Sequence, residues 1–318
     1  MSLVEKALQK AQAEQARAPK PDVKATVPVV PTSNVGSSAG LTPRETPHHH
    51  GPFVPTQPLL RIDLDSVRKA GLIAPVIQER VITRQLRIVK QAVLRRIHHG
   101  VQTPAVDGEV IIPRTVMLTS ALPGDGKTFT SFNFAMSLAL EKDYKVILVD
   151  ADVAKPHIST VLGLAAERGL MEVLADNSSD VASVVRPTSV KGLYFVPAGQ
   201  ITETATELLS SGRMATILRR LATLEPNLIV VFDSPPVLLT SEAQALAACM
   251  SQVLIVVRSN VTPRAAVRQA IDLLDVGANR ASLLLNDTQD MGQADYGYAY
   301  GQQKRPAEPS ASAETKND

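Results

Sequence analysis

The chain reads Val-Met-Leu-Thr-Ser-Ala-Leu-Pro-Gly-Asp-Gly-Lys-Thr from residue 116 to residue 128. Its first five residues, Val-Met-Leu-Thr-Ser, predict a short strand, and residues 129–140 predict a helix. Between them lies a turn that contains two glycines and ends in Gly-Lys-Thr. A strand, a glycine turn and a helix in this order predict a nucleotide-binding P-loop.

Each residue type in the turn has a chemical reason to be there. Gly124 and Gly126 let backbone N–H groups converge on phosphate oxygens, and the ammonium group of Lys127 reaches the outer phosphates. The Thr128 hydroxyl is a ligand for Mg²⁺. Ala121 stands where the strict pattern has its first glycine. The residues that we expect to contact the nucleotide are Pro123, Gly124, Asp125, Gly126, Lys127, Thr128 and Phe129.

Two further apolar runs end in acids. Residues 145–149 lead into Asp150 and Asp152, and residues 228–232 lead into Asp233. Uninterrupted apolar runs indicate strands buried on both faces, and ligands bind at the carboxyl ends of such parallel strands. A single aspartate there is often only a helix cap or turn residue. Three of them beside a phosphate loop predict a catalytic and metal-binding site.

Short apolar runs alternate with helical patterns through the rest of this region. This alternation predicts an α/β fold with a doubly wound, mostly parallel sheet of the P-loop NTPase type. The further strands are predicted at 193–197, 253–257 and 282–285, and the helices at 203–223, 241–250 and 263–275. Asn286 closes the last strand on the ligand edge. Its side-chain amide could read adenine, and a turn-forming role is an equal alternative.

The segments before and after this region differ from it in composition. Nine prolines fall between residues 19 and 58, which predicts a flexible linker. We divide the chain into an N-terminal helix, this linker, a basic helical region, the P-loop domain and a flexible tail. The first three segments form an N-terminal extension that we expect to be helical and partly disordered. This extension and the tail flank one globular domain. The five segments span residues 1–18, 19–58, 59–109, 110–286 and 287–318.

The basic region contains the clearest helix outside the P-loop domain, predicted over residues 76–97. Apolar residues recur at steps of three and four, while six arginines and lysines occupy other faces. Such a helix can pack on the domain with a solvated basic face. Contact with an acidic partner or with anionic lipid is the alternative.

Composition limits the remaining function classes. A net charge of +2 over 318 residues predicts no strong attraction to nucleic acid. The single cysteine, Cys249, excludes a disulfide framework, which favours a cytoplasmic location. No stretch approaches the roughly 20 apolar residues of a membrane helix, and we therefore expect a soluble chain.

These residues resemble the bacterial tyrosine autokinases of exopolysaccharide and capsule synthesis, including members that accompany exosortase-type loci. Residues 121–128 look like the first nucleotide motif of that family, 146–152 like its second acidic motif and 228–236 like its Walker B motif. The family also carries a tyrosine-rich tail. The corresponding tyrosines here are Tyr296, Tyr298 and Tyr300.

The resemblance implies an ATP-dependent, Mg²⁺-dependent autokinase whose tail tyrosines are phosphorylated by a neighbouring protomer, hence a homo-oligomer. Lys127 would stabilise the transferred phosphoryl group, while Asp152, Asp233 and Thr128 would hold the metal. Asp150 would orient or deprotonate the tyrosine, with Asp152 as the alternative base. A separate transmembrane chain-length determinant would recruit the chain to the inner face of the membrane. A cognate phosphatase would reverse the modification.

Two positions depart from the pattern of this family, and a third departs from the pattern of the related partition ATPases. Ala154 replaces an arginine that follows the acidic pair, with Lys155 adjacent, and Arg84 stands where an oligomerisation motif usually has a glutamate. Leu122 replaces the signature lysine of partition ATPases, which argues against their nucleotide-sandwich dimer. Two alternatives stay open: a partition-type ATPase switch without kinase activity, and a non-enzymatic regulator that only holds nucleotide.

Overall fold

The structure is a computed structural model that describes residues 53–98, 112–225 and 227–288. The predicted N-terminal helix at 1–18, most of the proline-rich linker and the three tail tyrosines lie outside these residues. The five predicted segment boundaries therefore remain predictions.

A seven-stranded sheet forms the centre of the domain. Its strands follow the order β3-β4-β2-β5-β1-β6-β7, and every pair is parallel except β3 with β4. The carboxyl ends of six strands therefore lie at one edge. This confirms the predicted doubly wound, mostly parallel sheet. The strands are β1 (Ile112–Ser120), β2 (Lys145–Asp150), β3 (Arg186–Pro187), β4 (Leu193–Val196), β5 (Leu228–Asp233), β6 (Met250–Arg258) and β7 (Ala281–Asn286).

Helices cover both faces of the sheet, because each central strand is apolar on both sides. Val230 and Phe232 of β5 pack in one buried cluster, and Ile229 and Val231 pack in another on the opposite face. The α-helices are α1 (Leu64–Lys69), α2 (Glu79–His98), α3 (Lys127–Ala139), α4 (His157–Val161), α5 (Leu170–Ala175), α6 (Ala205–Leu209), α7 (Gly212–Thr223), α8 (Glu242–Ala248) and α9 (Arg264–Leu274). A short 3₁₀-helix spans Val181–Val184.

One helix that the sequence predicts as continuous is two helices in the structure. The region 203–223 contains two helices, because α6 ends at Leu209 and α7 begins at Gly212. Ser211 between them is extended, with φ −74° and ψ 155°. Serine and glycine have weak helix propensity, so Ser211 and Gly212 interrupt the helical pattern here.

The chain before α1 forms an N-terminal strap, residues 53–62, along the β3 edge of the sheet. The backbone N–H of Leu60 donates to the Pro187 carbonyl at 2.8 Å, and the Ser189 N–H donates to the Leu60 carbonyl at 2.9 Å. The ring of Phe53 meets Tyr194 edge to face, with centroids 5.9 Å apart. The strap pairs with backbone groups that the edge strand would otherwise leave open.

Helix α2 packs on α3 with its apolar stripe, as the pattern predicted. Leu86 and Val93 are buried, while Arg84 and Arg87 are exposed. Lys90 is buried, and its ammonium group contacts Glu141 and donates to the Ser137 carbonyl. Of Arg84, Arg87 and Lys90, which share the three-residue spacing of the family's oligomerisation motif, only the two arginines therefore face solvent.

Candidate active site

The P-loop connects β1 to α3 at the carboxyl edge of the sheet. Gly124 and Gly126 have φ of 83° and 92°, a conformation that side chains disfavour. Gly126 precedes α3 as its N-cap and offers no side-chain cap to the first turn. The free N–H groups and the helix dipole at this end favour an anion.

Lys127 lies where the loop meets the acids. Its ammonium nitrogen is 2.7 Å from Oδ2 of Asp152 and 3.2 Å from Oγ1 of Thr128. Burial alone would lower the pKa of Lys127, but the charges of Asp233, Asp152 and Asp150 outweigh it and raise the pKa. The lysine is therefore a firmly held cation in a site with three carboxyl groups.

Asp150 is fully buried at the end of β2. Its Oδ2 accepts hydrogen bonds from the backbone N–H and the hydroxyl of Ser159, both at 2.8 Å. Burial and the nearby Asp233 charge raise the pKa of Asp150 to about 7. No group among the residues that the structure describes hydrogen-bonds to its Oδ1. An acid with these properties can exchange a proton near neutral pH.

Asp233 lies directly opposite Asp150, because the parallel register of β2 and β5 pairs the two residues. The Ser131 hydroxyl donates to Asp233 Oδ1 at 3.0 Å. Burial raises the pKa of Asp233, although the Lys127 charge and the hydroxyls of Thr128 and Ser131 counteract it. Asp233 Oδ2 also has no hydrogen-bond partner within the described ranges.

The arrangement fits a magnesium ion that is shared with phosphate groups. In the part of the chain that the structure describes, no three histidine, cysteine, aspartate or glutamate side chains are placed to hold a metal ion by themselves. Mg²⁺ commonly binds one or two carboxylates and completes its shell with water and substrate phosphates. Thr128, Asp152 and Asp233 are the side chains that would hold it, and the unpartnered Oδ2 of Asp233 supports this assignment.

The other predicted nucleotide contacts surround the loop. Pro123 and Gly124 are exposed, Phe129 is half-buried and Asp125 is buried. The side-chain nitrogen of Asn286 donates to the Asp125 carbonyl at 2.9 Å. Asn286 therefore braces the loop, and its contact with adenine remains a prediction.

The structure brings together Lys127, Thr128, Asp150, Asp152 and Asp233, whose convergence the sequence predicts. Three hydroxyl residues that bind these groups or Asp125 were not predicted. Ser131 lies four residues after the P-loop lysine on α3, a spacing that could have revealed it. The other two, Ser159 and Thr262, belong to no recognisable motif.

Comparison with known proteins identifies the family to which the chain belongs. A family model described as an AAA domain matches residues 113–276, and the chain belongs to that family. Within it, the chain belongs to the bacterial tyrosine-protein kinases: it is 31% identical to tyrosine-protein kinase YwqD of Bacillus subtilis over 65% of this chain and 84% of YwqD.

A second relative is much longer. Putative tyrosine-protein kinase EpsB of Ralstonia nicotianae is 31% identical over 64% of this chain but only 27% of its own length. The solved kinase domain of Escherichia coli tyrosine kinase ETK has the same fold, with a TM-score of 0.55 and 23% identity over 69% of this chain and 80% of that domain. Within the described residues of this chain, no helix has the length and apolarity needed to cross a membrane.

Proposed function

We propose that this chain is an ATP-dependent protein-tyrosine kinase that phosphorylates Tyr296, Tyr298 and Tyr300 of a neighbouring protomer. One observation carries the proposal: the P-loop lysine, Lys127, is paired with Asp152 at the sheet edge where Asp150 also lies. Family membership supports the same activity.

The chemistry follows from the positions of these groups. The tyrosine hydroxyl oxygen forms a bond to the γ-phosphorus, the bond from this phosphorus to the β–γ bridging oxygen breaks, and ADP leaves. Asp150 accepts the hydroxyl proton, since a pKa of about 7 leaves part of the population ionised at neutral pH. Lys127 and the loop N–H groups stabilise negative charge on the transferred group. Mg²⁺, when bound, supplies further neutralisation of the phosphates.

The acceptor tail begins at the carboxyl edge of the sheet, where the candidate active site lies. Because β7 is parallel to β6, Asn286 lies at the carboxyl edge. Tyr296 lies ten positions further along the chain, and ten extended residues span at most ~35 Å. This reach is sufficient for the chain's own site or for a neighbour's. The family resemblance favours the neighbour, and therefore a homo-oligomer.

The cellular role that we propose is regulation of exopolysaccharide polymerisation and export. A separate transmembrane chain-length determinant would bring the chain to the cytoplasmic face of the membrane, and a tyrosine phosphatase would reset it. The family resemblance supports these partners. A leucine, Leu122, stands where a partition-type ATPase has its signature lysine, and it packs against the apolar core beside the loop. This speaks against the partition-type switch.

The test is intact-mass and peptide analysis of the purified chain after incubation with Mg-ATP. A Lys127→Met variant and a triple Tyr→Phe variant at 296, 298 and 300 are analysed in parallel. Phosphate on those tyrosines that disappears in both variants would support the kinase. ATP hydrolysis with an unmodified tail would support the ATPase switch, and turnover equal to that of Lys127→Met would support a regulator that only holds nucleotide.

Transfer between protomers has its own test. Lys127→Met protein, which retains the tyrosines, is mixed with the triple Tyr→Phe protein, which retains the catalytic groups. Phosphate should appear on the Lys127→Met chain. If neither chain is modified while the wild type is, transfer occurs within one chain.

A further inference from the structure

Asp125, in the middle of the P-loop, is held from two sides although aspartate is normally exposed. Only 2% of its surface is accessible. Its Oδ2 accepts a hydrogen bond from the Leu122 N–H within the loop at 3.2 Å. Its Oδ1 accepts from the hydroxyl of Thr262 at 2.6 Å, across 137 residues of sequence. Thr262 lies in the turn between β6 and α9.

The Thr262 hydroxyl is oriented towards Asp125 by its own neighbours. Its oxygen accepts a hydrogen bond from the Arg258 N–H at 2.9 Å, and the Thr262 N–H donates to the Arg258 carbonyl at 3.0 Å. A hydroxyl has one hydrogen to donate. Because the Arg258 N–H occupies an acceptor position, that hydrogen is directed to the Asp125 carboxylate, and hydrogen bonds to charged acceptors are the stronger kind.

The end of β7 holds the same loop residue through its backbone. Asn286 donates to the Asp125 carbonyl, and a Cβ added to Gly126 would lie 2.1 Å from the Asn286 side-chain nitrogen. The Ser259 N–H in turn donates to the Asn286 carbonyl at 2.8 Å. The β6–α9 turn and the end of β7 therefore form one hydrogen-bonded support beside the loop.

We propose that Thr262 is a positioning residue for nucleotide binding, acting through Asp125 to fix the phosphate-binding conformation of the P-loop. The loop has two glycines at positive φ, and its N–H groups bind phosphate well only if their directions are fixed beforehand. The Thr262 hydroxyl fixes them from outside the loop. This inference rests on the proposed function, in which the loop binds ATP phosphates.

The test compares Thr262→Val with Thr262→Ser, using a fluorescent ATP analogue in a titration with Mg²⁺. Valine keeps the shape and removes the hydroxyl, whereas serine keeps it. We expect about tenfold weaker binding for Thr262→Val and a change of less than about twofold for Thr262→Ser. Thr216→Val is the matched control, because the Thr216 hydroxyl donates to the Gly212 carbonyl of its own helix.

A double-variant cycle separates positioning from general stability. If Thr262 acts through Asp125, adding Thr262→Val to Asp125→Ala, which has no acceptor for the Thr262 hydroxyl, should weaken binding much less than it does in the wild type. Hydrogen exchange of the amides at 121–128 should also be faster in Thr262→Val without nucleotide, and unchanged in Thr216→Val. This readout requires no ligand and applies even if binding becomes too weak to measure.

Three outcomes would overturn the inference. These are wild-type affinity in Thr262→Val, equal weakening in Thr262→Ser, and additive effects in the cycle. Failure of the wild-type chain itself to bind the analogue is a different result, because it would remove the proposed function and this inference with it.

Discussion

The ammonium nitrogen of Lys127 lies 2.7 Å from Oδ2 of Asp152, with only 13% and 8% of the two side chains exposed. The pair joins the P-loop to the end of β2. An ion pair so shielded from water retains much of its Coulomb attraction. Phosphate oxygens that approach Lys127 therefore compete with a carboxylate for the same cation.

Replacing that carboxylate should separate nucleotide binding from catalysis. Asp152→Asn removes both a competitor for Lys127 and a repulsive charge, so we expect several-fold tighter ATP binding in EDTA. Autophosphorylation in Mg²⁺ should fall by about 100-fold, because Asp152 is one of the groups that we propose to hold the metal. Calorimetric titration and phosphotyrosine detection measure the two effects, with Glu167→Gln as a surface control. Unchanged or weaker binding in EDTA would show that Asp152 does not compete for the lysine.

Asp150 should make the domain less stable as pH rises. Its pKa is about 7 in the folded chain and 3.8 as an ordinary value, so the folded state binds the proton more tightly. The resulting stabilisation is complete below pH ~4 and is lost as pH rises towards about 7. Asp150→Asn removes this dependence.

The free energy of unfolding of Asp150→Asn, relative to that of the wild type, should therefore increase by roughly 2–3 kcal/mol between pH 5 and pH 8. Urea unfolding at each pH measures this difference. Asp272→Asn on the exposed surface of α9 is the control. An advantage that stays constant with pH would mean that Asp150 titrates normally.

Ser159 should set the pH at which the kinase becomes active. Its hydroxyl hydrogen bond to Asp150 favours the ionised form and lowers the pKa against the effect of burial. In Ser159→Ala the acidic limb of the autophosphorylation profile should move upward by about one pH unit. Thr160→Ala changes a neighbouring hydroxyl that bonds to Pro156 and serves as the control. A uniform rate loss without this shift would assign Ser159 only to folding.

Alanine substitutions at Gly126 and Gly163 test whether the P-loop needs a glycine next to Asn286. Both have positive φ, but only Gly126 lacks space for a Cβ, because Asn286 lies against it. Gly163→Ala should lower the free energy of unfolding by about 1–2 kcal/mol without affecting nucleotide binding. Gly126→Ala should weaken nucleotide binding by at least about tenfold as well. Equal nucleotide affinity in the two variants would contradict the close contact.

Local sequence patterns are sufficient to predict the central strands of the sheet and the acids at their ends. The apolar runs before Asp150 and Asp233 have no polar alternation, so they predict buried parallel strands. In a parallel sheet the ends of such strands meet at one edge, which brings the two acids beside Lys127. The structure shows this register directly, with Asp150 opposite Asp233.

The supporting contacts could not be predicted in this way. Thr262 and Asp125 are 137 residues apart, and Leu60 and Pro187 are 127 residues apart. A threonine in a turn or a leucine near prolines has many possible partners, and only the completed fold selects one. The break at Ser211 was missed because the apolar spacing of α6 and α7 reads as a single amphipathic pattern.

The N-terminal strap and the end of β7 lie at opposite margins of the sheet. The strap borders β3, the first strand in spatial order, and the chain leaves the sheet at Asn286 on β7, the seventh. Six strand spacings separate these margins, about 30 Å across the sheet. A protein that bound the strap itself would therefore lie at the opposite margin from the point where the chain leaves the sheet. Under the proposed function, anchoring at the strap and phosphate transfer to a neighbour's tail would not compete for the same margin of the sheet.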